Sequence, residues 1–464
     1  MTDQQSTGAI VIGGGLTGLY AGLTLARAGT RVTILEAEED LGGRIRGHRV
    51  GQNTLTLGTQ LLQSFDRVIF DDVTSLLTQR AEVEPSESIL WGGQRFAYPL
   101  SLDNFFKGLS FAEKVGGALG KSGATLGQKV SKKPPIDAEH ALARLYGSAL
   151  TRRCFSNWLD VFFGRPGKEL SPEIISLLLP QLPHTSNFAD SVESLGLKAF
   201  DSDLLDREVP EHSVYFPTSS GVLATALAAA IQRAGGRIIC NAEVVGLDVE
   251  DGEIRSVQCR DKMSGSEEPT IHQLPCEGVI STISVRKLVK AFNTHAPAQI
   301  HASSLHLQHR GHVCFALVLS RSNCLEEISL QVRDQPFFRI SEPKNAGQQV
   351  APVDQTILLV EAATEPNSSF WNGDEQAWSE ILDALEHLGI CKRAEVVSRH
   401  HLSDPMGIPI YRLEFEEHRD RLFSYFARFP NLQCAGPGGT FSMMRPDQAM
   451  KSGARGAELL CEVL

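Results

Sequence analysis

The sequence predicts an α/β protein: a Rossmann-type, cofactor-binding parallel-sheet domain with an inserted, discontinuous α+β domain. Three observations carry that prediction. An apolar stretch near the amino terminus runs straight into three glycines and then into a helical pattern. The chain has 464 residues, too many for one ordinary core and enough for about two domains. Glycine-punctuated helix and strand signals recur in the middle of the chain and at its carboxyl end, as in a domain assembled from separated segments.

The first element is "AIVIGGGLTGLYAGLTLARAGTRVTILEAEEDLGGRI". "AIVI" is a short buried-strand signal, and "LTGLYAGLTLARAG" has apolar residues at helical spacing up to Gly29. "RVTILEA" is a second strand, rich in branched residues. Gly13, Gly15 and Gly18 match GxGxxG in a strand–turn–helix–strand unit. Gly13 permits the tight turn, Gly15 lets a pyrophosphate approach the backbone, and Gly18 lets helix and strand pack closely. The phosphates of a dinucleotide would sit at the helix amino terminus, beside the N–H groups of Leu16 and Thr17. Glu36, followed by Ala37, ends the second strand where a carboxylate can accept from ribose hydroxyls.

Composition narrows the classes. The net charge of −11 argues against a general nucleic-acid binder. No apolar run reaches the roughly 20 residues of a membrane span, and "MTDQQSTG" lacks the features of a signal peptide. Nine widely spaced cysteines without a CxxC fit free thiols in a reducing cytosol and leave no evident metal site. A cytoplasmic location is therefore expected.

The continuation "EAEEDLGGRIRG" places Gly42, Gly43 and Arg44 directly after the second strand. This extended fingerprint resembles that of the glutathione-reductase-like flavoproteins, in particular the amine oxidase and protoporphyrinogen oxidase group, with UDP-galactopyranose mutase-like relatives. The resemblance implies FAD as cofactor, with Gly43 and Arg44 along its diphosphate. It further implies that Gly58, Thr59 and Gln60, in "TLTLGTQLLQ", lie near the flavin ring. Val244, in the helix–strand segment "YFPTSSGVLATALAAAIQRAGGRIICNAEVVGLDVEDGEIRSV", matches the position whose backbone meets the adenine. At the carboxyl end, "PNLQCAGPGGTFSMMRPDQAMKSGARGAELL" supplies Gly436 beside the FAD. Asp447 and Gln448 start a last helix aimed at the flavin pyrimidine.

The layout of that group implies an FAD-binding domain from 1–94, 206–290 and 421–464, interrupted by a substrate domain from 95–205 and 291–420. Within the latter, Trp158, Phe162 and Phe163 recur at helical spacing, which reads first as core. Trp158 and Phe163 are also the aromatic candidates for a substrate pocket. Arg339 and Arg445 are the candidates for an anionic substrate or the flavin itself, against the plainer reading of surface arginines. Residues 104–135 carry six lysines against one glutamate, Glu113. Such a segment reads as a solvated loop, with membrane contact as the alternative.

These features imply an FAD-dependent oxidoreductase that removes a hydride from a small amine or desaturates a biosynthetic intermediate. Oxygen is one candidate electron acceptor, and no catalytic acid or base is identifiable. Two alternatives stand beside it. One is a non-redox flavin isomerase of the mutase type, disfavoured by Pro437 after Gly436 and by the lack of tyrosine in the following loop. The other is a flavin-free binding protein of the GDP-dissociation-inhibitor type, disfavoured by the intact fingerprint with Glu36 and Arg44.

Overall fold

The computed structural model describes residues 8–77, 80–98, 100, 105, 134–175, 212–215, 221–261 and 270–464. The basic segment 104–135 lies outside them apart from Phe105, Pro134 and Pro135.

The glycine turn belongs to a five-stranded parallel sheet. Its strands are β1 (Ala9–Ile12), β2 (Val32–Leu35), β10 (Arg237–Ile239), β14 (Gly278–Ser281) and β20 (Leu432–Cys434), in the order β10-β2-β1-β14-β20. Every residue of β1, β2 and β14 is buried, as a parallel sheet covered on both faces requires. The sheet thus collects strands from the beginning, middle and end of the chain. The first helix (Leu16–Arg27) packs against the last one (Pro446–Cys461). Close packing there depends on Gly453, where a Cβ would overlap the Thr17 carbonyl oxygen, while a Cβ on Gly18 would overlap the Gly13 carbonyl oxygen in the turn.

Smaller pieces surround this sheet. They are the hairpin β3 (His48–Val50) with β4 (Asn53–Leu55), and a three-stranded sheet of β5 (Leu62–Gln63), β6 (Ala81–Glu82) and β9 (Ser213–Tyr215). A meander of β11 (Ala242–Glu250), β12 (Glu253–Asp261) and β13 (Ile271–Pro275) follows the helix Gly221–Arg233, the helix-then-hairpin pattern expected from the sequence.

The second large unit is a seven-stranded sheet. It contains β7 (Glu87–Trp91), β8 (Gln94–Ala97), β15 (His309–Leu319), β16 (Ser329–Val332), β17 (Arg339–Ser341), β18 (Thr356–Thr364) and β19 (Val396–Pro409), in the order β19-β15-β18-β17-β16-β7-β8. Its two faces do different work, set by the two-residue period of a strand. Val313, Phe315, Leu317 and Leu319 of β15 pack with the helix Glu375–His387 through Trp378, Ile381 and Leu385. The alternate residues Cys314, Ala316 and Val318 face Leu55 and Leu57, so this face is turned toward the glycine-rich unit. A boundary at 94/95 would cut the β7–β8 hairpin, both strands of which continue this sheet.

None of the described helices is long and apolar enough to cross a membrane, and all nine cysteines are free.

Candidate functional site

The glycine turn leaves backbone donors open. Gly13 has φ +108, and Gly15 caps the first helix in extended geometry without a side-chain hydrogen bond. The N–H groups of its first turn, including those of Leu16 and Thr17, therefore have no capping side chain to satisfy them, as an anion site requires. A Cβ on Gly15 would meet no neighbouring atom nearer than Gly43 Cα at 4.0 Å. The protein itself does not demand glycine there, whereas a diphosphate approaching the backbone would. Glu36 reaches back to this turn, accepting from Gly14 N at 2.6 Å and from Glu38 N at 2.9 Å. The Gly42–Arg44 segment is tied to it through Gly42 N to Gly14 O at 2.8 Å.

These groups line one cavity of about 500 Å³, within the range of small-molecule and cofactor sites. Gly13, Glu36, Ala37, Gly43, Arg44 and Val244 all contribute to its wall. Leu57 and Ile283 also line it, as do Ser403 to Met406 of β19, so it runs toward the large sheet. Arg44 crosses this space: its Nε donates to Asp404 at 2.9 Å, and its Nη2 donates to the Met406 carbonyl. Arg46, Lys287 and Lys290 add positive charge to the wall.

The expected ring-end residues lie outside that cavity lining. Gly58 takes φ +81, and a Cβ there would stand 2.6 Å from the Glu361 carboxyl carbon. Thr59 Oγ1 is buried with no hydrogen-bond partner among the described residues, while Gln60 Nε2 donates to Leu57 O at 3.2 Å. Gly436 takes φ +72 for a reason internal to the chain: its missing Cβ would be 2.7 Å from Thr17 Cγ2. Asp447 and Gln448 are both buried at the start of the last helix. Gln448 Oε1 accepts from Arg445 N at 3.0 Å, and Asp447 accepts from the Arg445 guanidinium at 3.1 and 3.0 Å.

Of the four substrate candidates, the two aromatics take the core placement that their spacing favoured, and the two arginines are held in ion pairs. Trp158 and Phe163 are 2% and 0% exposed, in one apolar cluster with Phe155 and Phe162. Trp158 carries Arg333 stacked 4.1 Å above its ring. The helical spacing therefore reports core, and neither side chain lines the cavity. Arg445 is not a free cation, since its guanidinium is committed to Asp447 and lies 4.2 Å above the Phe65 ring. Arg339 is not a surface arginine. It binds the Glu361 carboxylate through Nε at 2.6 Å and Nη2 at 2.7 Å.

Three features were not read from the sequence. Asp404 holds Arg44 across 360 residues. Glu361 is fully buried, and besides Arg339 it has His312 Nε2 3.0 Å from its Oε2. Burial alone would raise its carboxyl, but the Arg339 charge, with the His312 and Arg339 contacts, holds it well below the usual range. His309 is partly buried beside Phe441, and its enclosed Nδ1 has no hydrogen-bond partner among the described residues. Burial, then the charge of Arg44, pushes its imidazole down to about 4. A lone His before an apolar strand ("HVCFALVL") and a lone Glu inside one ("LLVEAAT") were the available signals.

Known proteins share this architecture. Residues 16–460 match the family model described as flavin containing amine oxidoreductase. The chain is 38% identical over 112 residues to a phytoene desaturase of Fusarium fujikuroi, covering 22% of this chain and 19% of the relative. It is 33% identical over 82 residues to the L-amino acid oxidase Cdc18 of Crotalus durissus cumanensis, covering 18% of this chain and 16% of that protein. These matches thus span less than a fifth of each curated relative's length. Among solved structures, a reduced UDP-galactopyranose mutase superposes with a TM-score of 0.76 at 14% identity, over 99% of this chain and 96% of the other. At that identity the likeness is one of fold.

Proposed function

The chain belongs to the flavin containing amine oxidoreductase family and is thereby an FAD-dependent oxidoreductase; from that premise we propose that it oxidises a small organic amine at the carbon next to nitrogen. The observation that carries this reading is the convergence of Gly13, Glu36, Ala37, Gly43, Arg44 and Val244 on one cavity that runs to the large sheet. The residues fit FAD. The Gly15 cradle is open, the first helical turn has uncapped donors, and Thr59 Oγ1 is a buried hydroxyl without a partner among the described residues. Glu36 would hold the ribose hydroxyls, the first-turn N–H groups and Arg44 the diphosphate, and Val244 the adenine.

Bound there, FAD supplies a two-electron acceptor for a hydride. The chain's own contribution is placement. The large-sheet face bearing Cys314 and Glu361 closes over Leu57 and Gly58, which excludes water from the space beside that turn. Dehydrogenation of two adjacent carbons is the second reading, favoured by the likeness to a phytoene desaturase. Sugar-nucleotide isomerisation is less well supported, because Pro437 follows Gly436 and no tyrosine stands between there and Gln448.

The test is anaerobic mixing of the FAD-loaded protein with benzylamine, 1,4-diaminobutane and a set of L-amino acids. The reading expects loss of the oxidised flavin band with at least one of them, and peroxide on admitting air if oxygen is the acceptor. Bleaching by none of them would sink it.

A further inference from the structure

We propose that His312 is the proton acceptor for the amine substrate, and that Glu361, clamped by Arg339, positions its imidazole on the sheet face opposite Gly58. The proposal rests on the amine-oxidising reading above, and its geometry comes from strand register. His312 of β15 pairs with Asp404 of β19 and with Ala363 of β18. Paired residues in an antiparallel ladder share a face, so His312 lies on the face where Asp404 holds Arg44 over the cofactor cavity. Cys314, two residues on, pairs with Glu361, and Glu361 pairs with Arg339. Three strands thereby bring His312, Glu361 and Arg339 to the side that meets Leu57 and Gly58.

The cluster is arranged as a held imidazole. Arg339 grips Glu361 with two parallel bonds, a geometry that fixes the carboxylate plane. His312 Nε2 stands 3.0 Å from Glu361 Oε2, an ion-pair distance that a small ring rotation turns into a hydrogen bond. Its ring lies 5.6 Å from that of Phe338, which limits the other rotamers. The side chain is 14% exposed, and the buried ring nitrogen without a hydrogen bond is Nε2, the one that faces Glu361. A carboxylate beside one ring nitrogen, which leaves the other for the substrate, is the arrangement that makes histidine an oriented base.

The proton step balances without an oxidant. One N–H bond of the substrate ammonium breaks, its electron pair stays on nitrogen, and His312 Nδ1 takes the proton. The neutral amine that results has the lone pair needed to expel a hydride from the adjacent carbon. The charged groups around His312 are Glu361 and Arg339 across β18 and β17, and Asp404 with Arg44 from β19. Arg310 with Glu365 lies on its own side of the sheet, and Glu87 stands behind Arg339. The Leu55–Gly58 stretch brings no charge.

The experiment follows anaerobic flavin reduction by benzylamine, 1,4-diaminobutane or L-leucine, whichever reduces the wild type fastest, over a pH series. Wild-type rates should climb with pH along a limb that His312→Gln lacks, and His312→Gln should be slower by about a hundredfold at the wild-type optimum. Glu361→Gln should lower the limiting rate of flavin reduction and leave the substrate dissociation constant unchanged, because the imidazole loses the carboxylate that orients it. If that variant fails to fold around an unpaired Arg339, the double variant Glu361→Gln/Arg339→Met replaces it. A second readout needs no turnover: diethyl pyrocarbonate should modify His312 in the FAD-free protein, as it should the exposed His306. An unmodified His312, or an unchanged pH profile in His312→Gln beside an active wild type, overturns this inference alone. A wild type reduced by no amine overturns the functional reading and this inference with it.

Discussion

Gly15 and Gly18 sit three residues apart, yet the structure assigns them opposite jobs, and alanine at each separates ligand binding from folding. At Gly18 an added Cβ would overlap the carbonyl oxygen of Gly13 and lie 3.3 Å from Val11 Cγ1. The helix would have to lift from the sheet, an overpacking penalty of about 2–3 kcal/mol. At roughly 2 °C or less per kcal/mol for a chain of this size, the FAD-free protein should melt about 5 °C lower. At Gly15 the backbone lies at φ −76 and ψ 178, open to any residue, and the new Cβ has 4.0 Å of room. Gly15→Ala should leave the stability of the FAD-free protein within about 0.5 kcal/mol of wild type, and its melting temperature within about 1 °C. The methyl would instead stand where the diphosphate approaches, and the dissociation constant for FAD should rise at least about tenfold, or about 1.4 kcal/mol. Thermal melts of the FAD-free proteins and a flavin-fluorescence titration measure both quantities. Wild-type FAD affinity in Gly15→Ala, or equal loss of melting temperature in the two variants, would refute the reasoning.

Further outcomes follow from other parts of the site. Glu36→Ala removes a carboxylate hydrogen bond to Gly14 N of 2.6 Å and the ribose acceptor. It should weaken FAD by about ten- to a hundredfold by titration, as loss of a charged hydrogen bond worth about 1.5–3 kcal/mol predicts. His309, held neutral down to about 4 against 6.5 for a free imidazole, works in the other direction with acid. The unfolded chain takes the proton first, so its contribution is complete above about pH 6.5 and is lost as pH falls toward 4, by at most about 3 kcal/mol. His309→Phe should flatten the fall of melting temperature across that window, and an identical slope would show that another group is responsible. Trp158→Ala should destabilise the fold by about 3–5 kcal/mol as a core truncation. A large fall in turnover with an unchanged melting temperature would return Trp158 to the substrate pocket.

What was legible in the sequence follows the distance over which each feature is built. The glycine turn, Glu36 and the Gly43–Arg44 pair lie within one strand–helix–strand unit, so local spacing defined their geometry, and the cavity contains them. Trp158, Phe162 and Phe163 also had a local signal, and helical spacing correctly favoured the core over a pocket. Arg339 was singled out for its charge, but its partner is Glu361, joined to it by the register of β17 and β18. His312 enters the same cluster from β15, 49 residues before Glu361 in the chain. No spacing rule reaches across three strands of a sheet. Arg44 was recognised, while Asp404, which holds it, lies on a strand at the far end of the chain. Gly436 was read as a flavin neighbour, and the structure adds a reason that does not involve ligand: Thr17 leaves no room for a side chain.

The most direct test of the account compares FAD with FMN on the FAD-free protein by fluorescence titration. In the proposed site, the cavity wall of Glu36, Ala37, Arg44 and Val244 would hold the adenosine and diphosphate end, which FMN largely lacks. The account predicts saturation at one FAD per chain and binding of FMN weaker by at least about a hundredfold, or roughly 3 kcal/mol. Equal affinity for the two flavins, or no saturable binding of FAD, would contradict it.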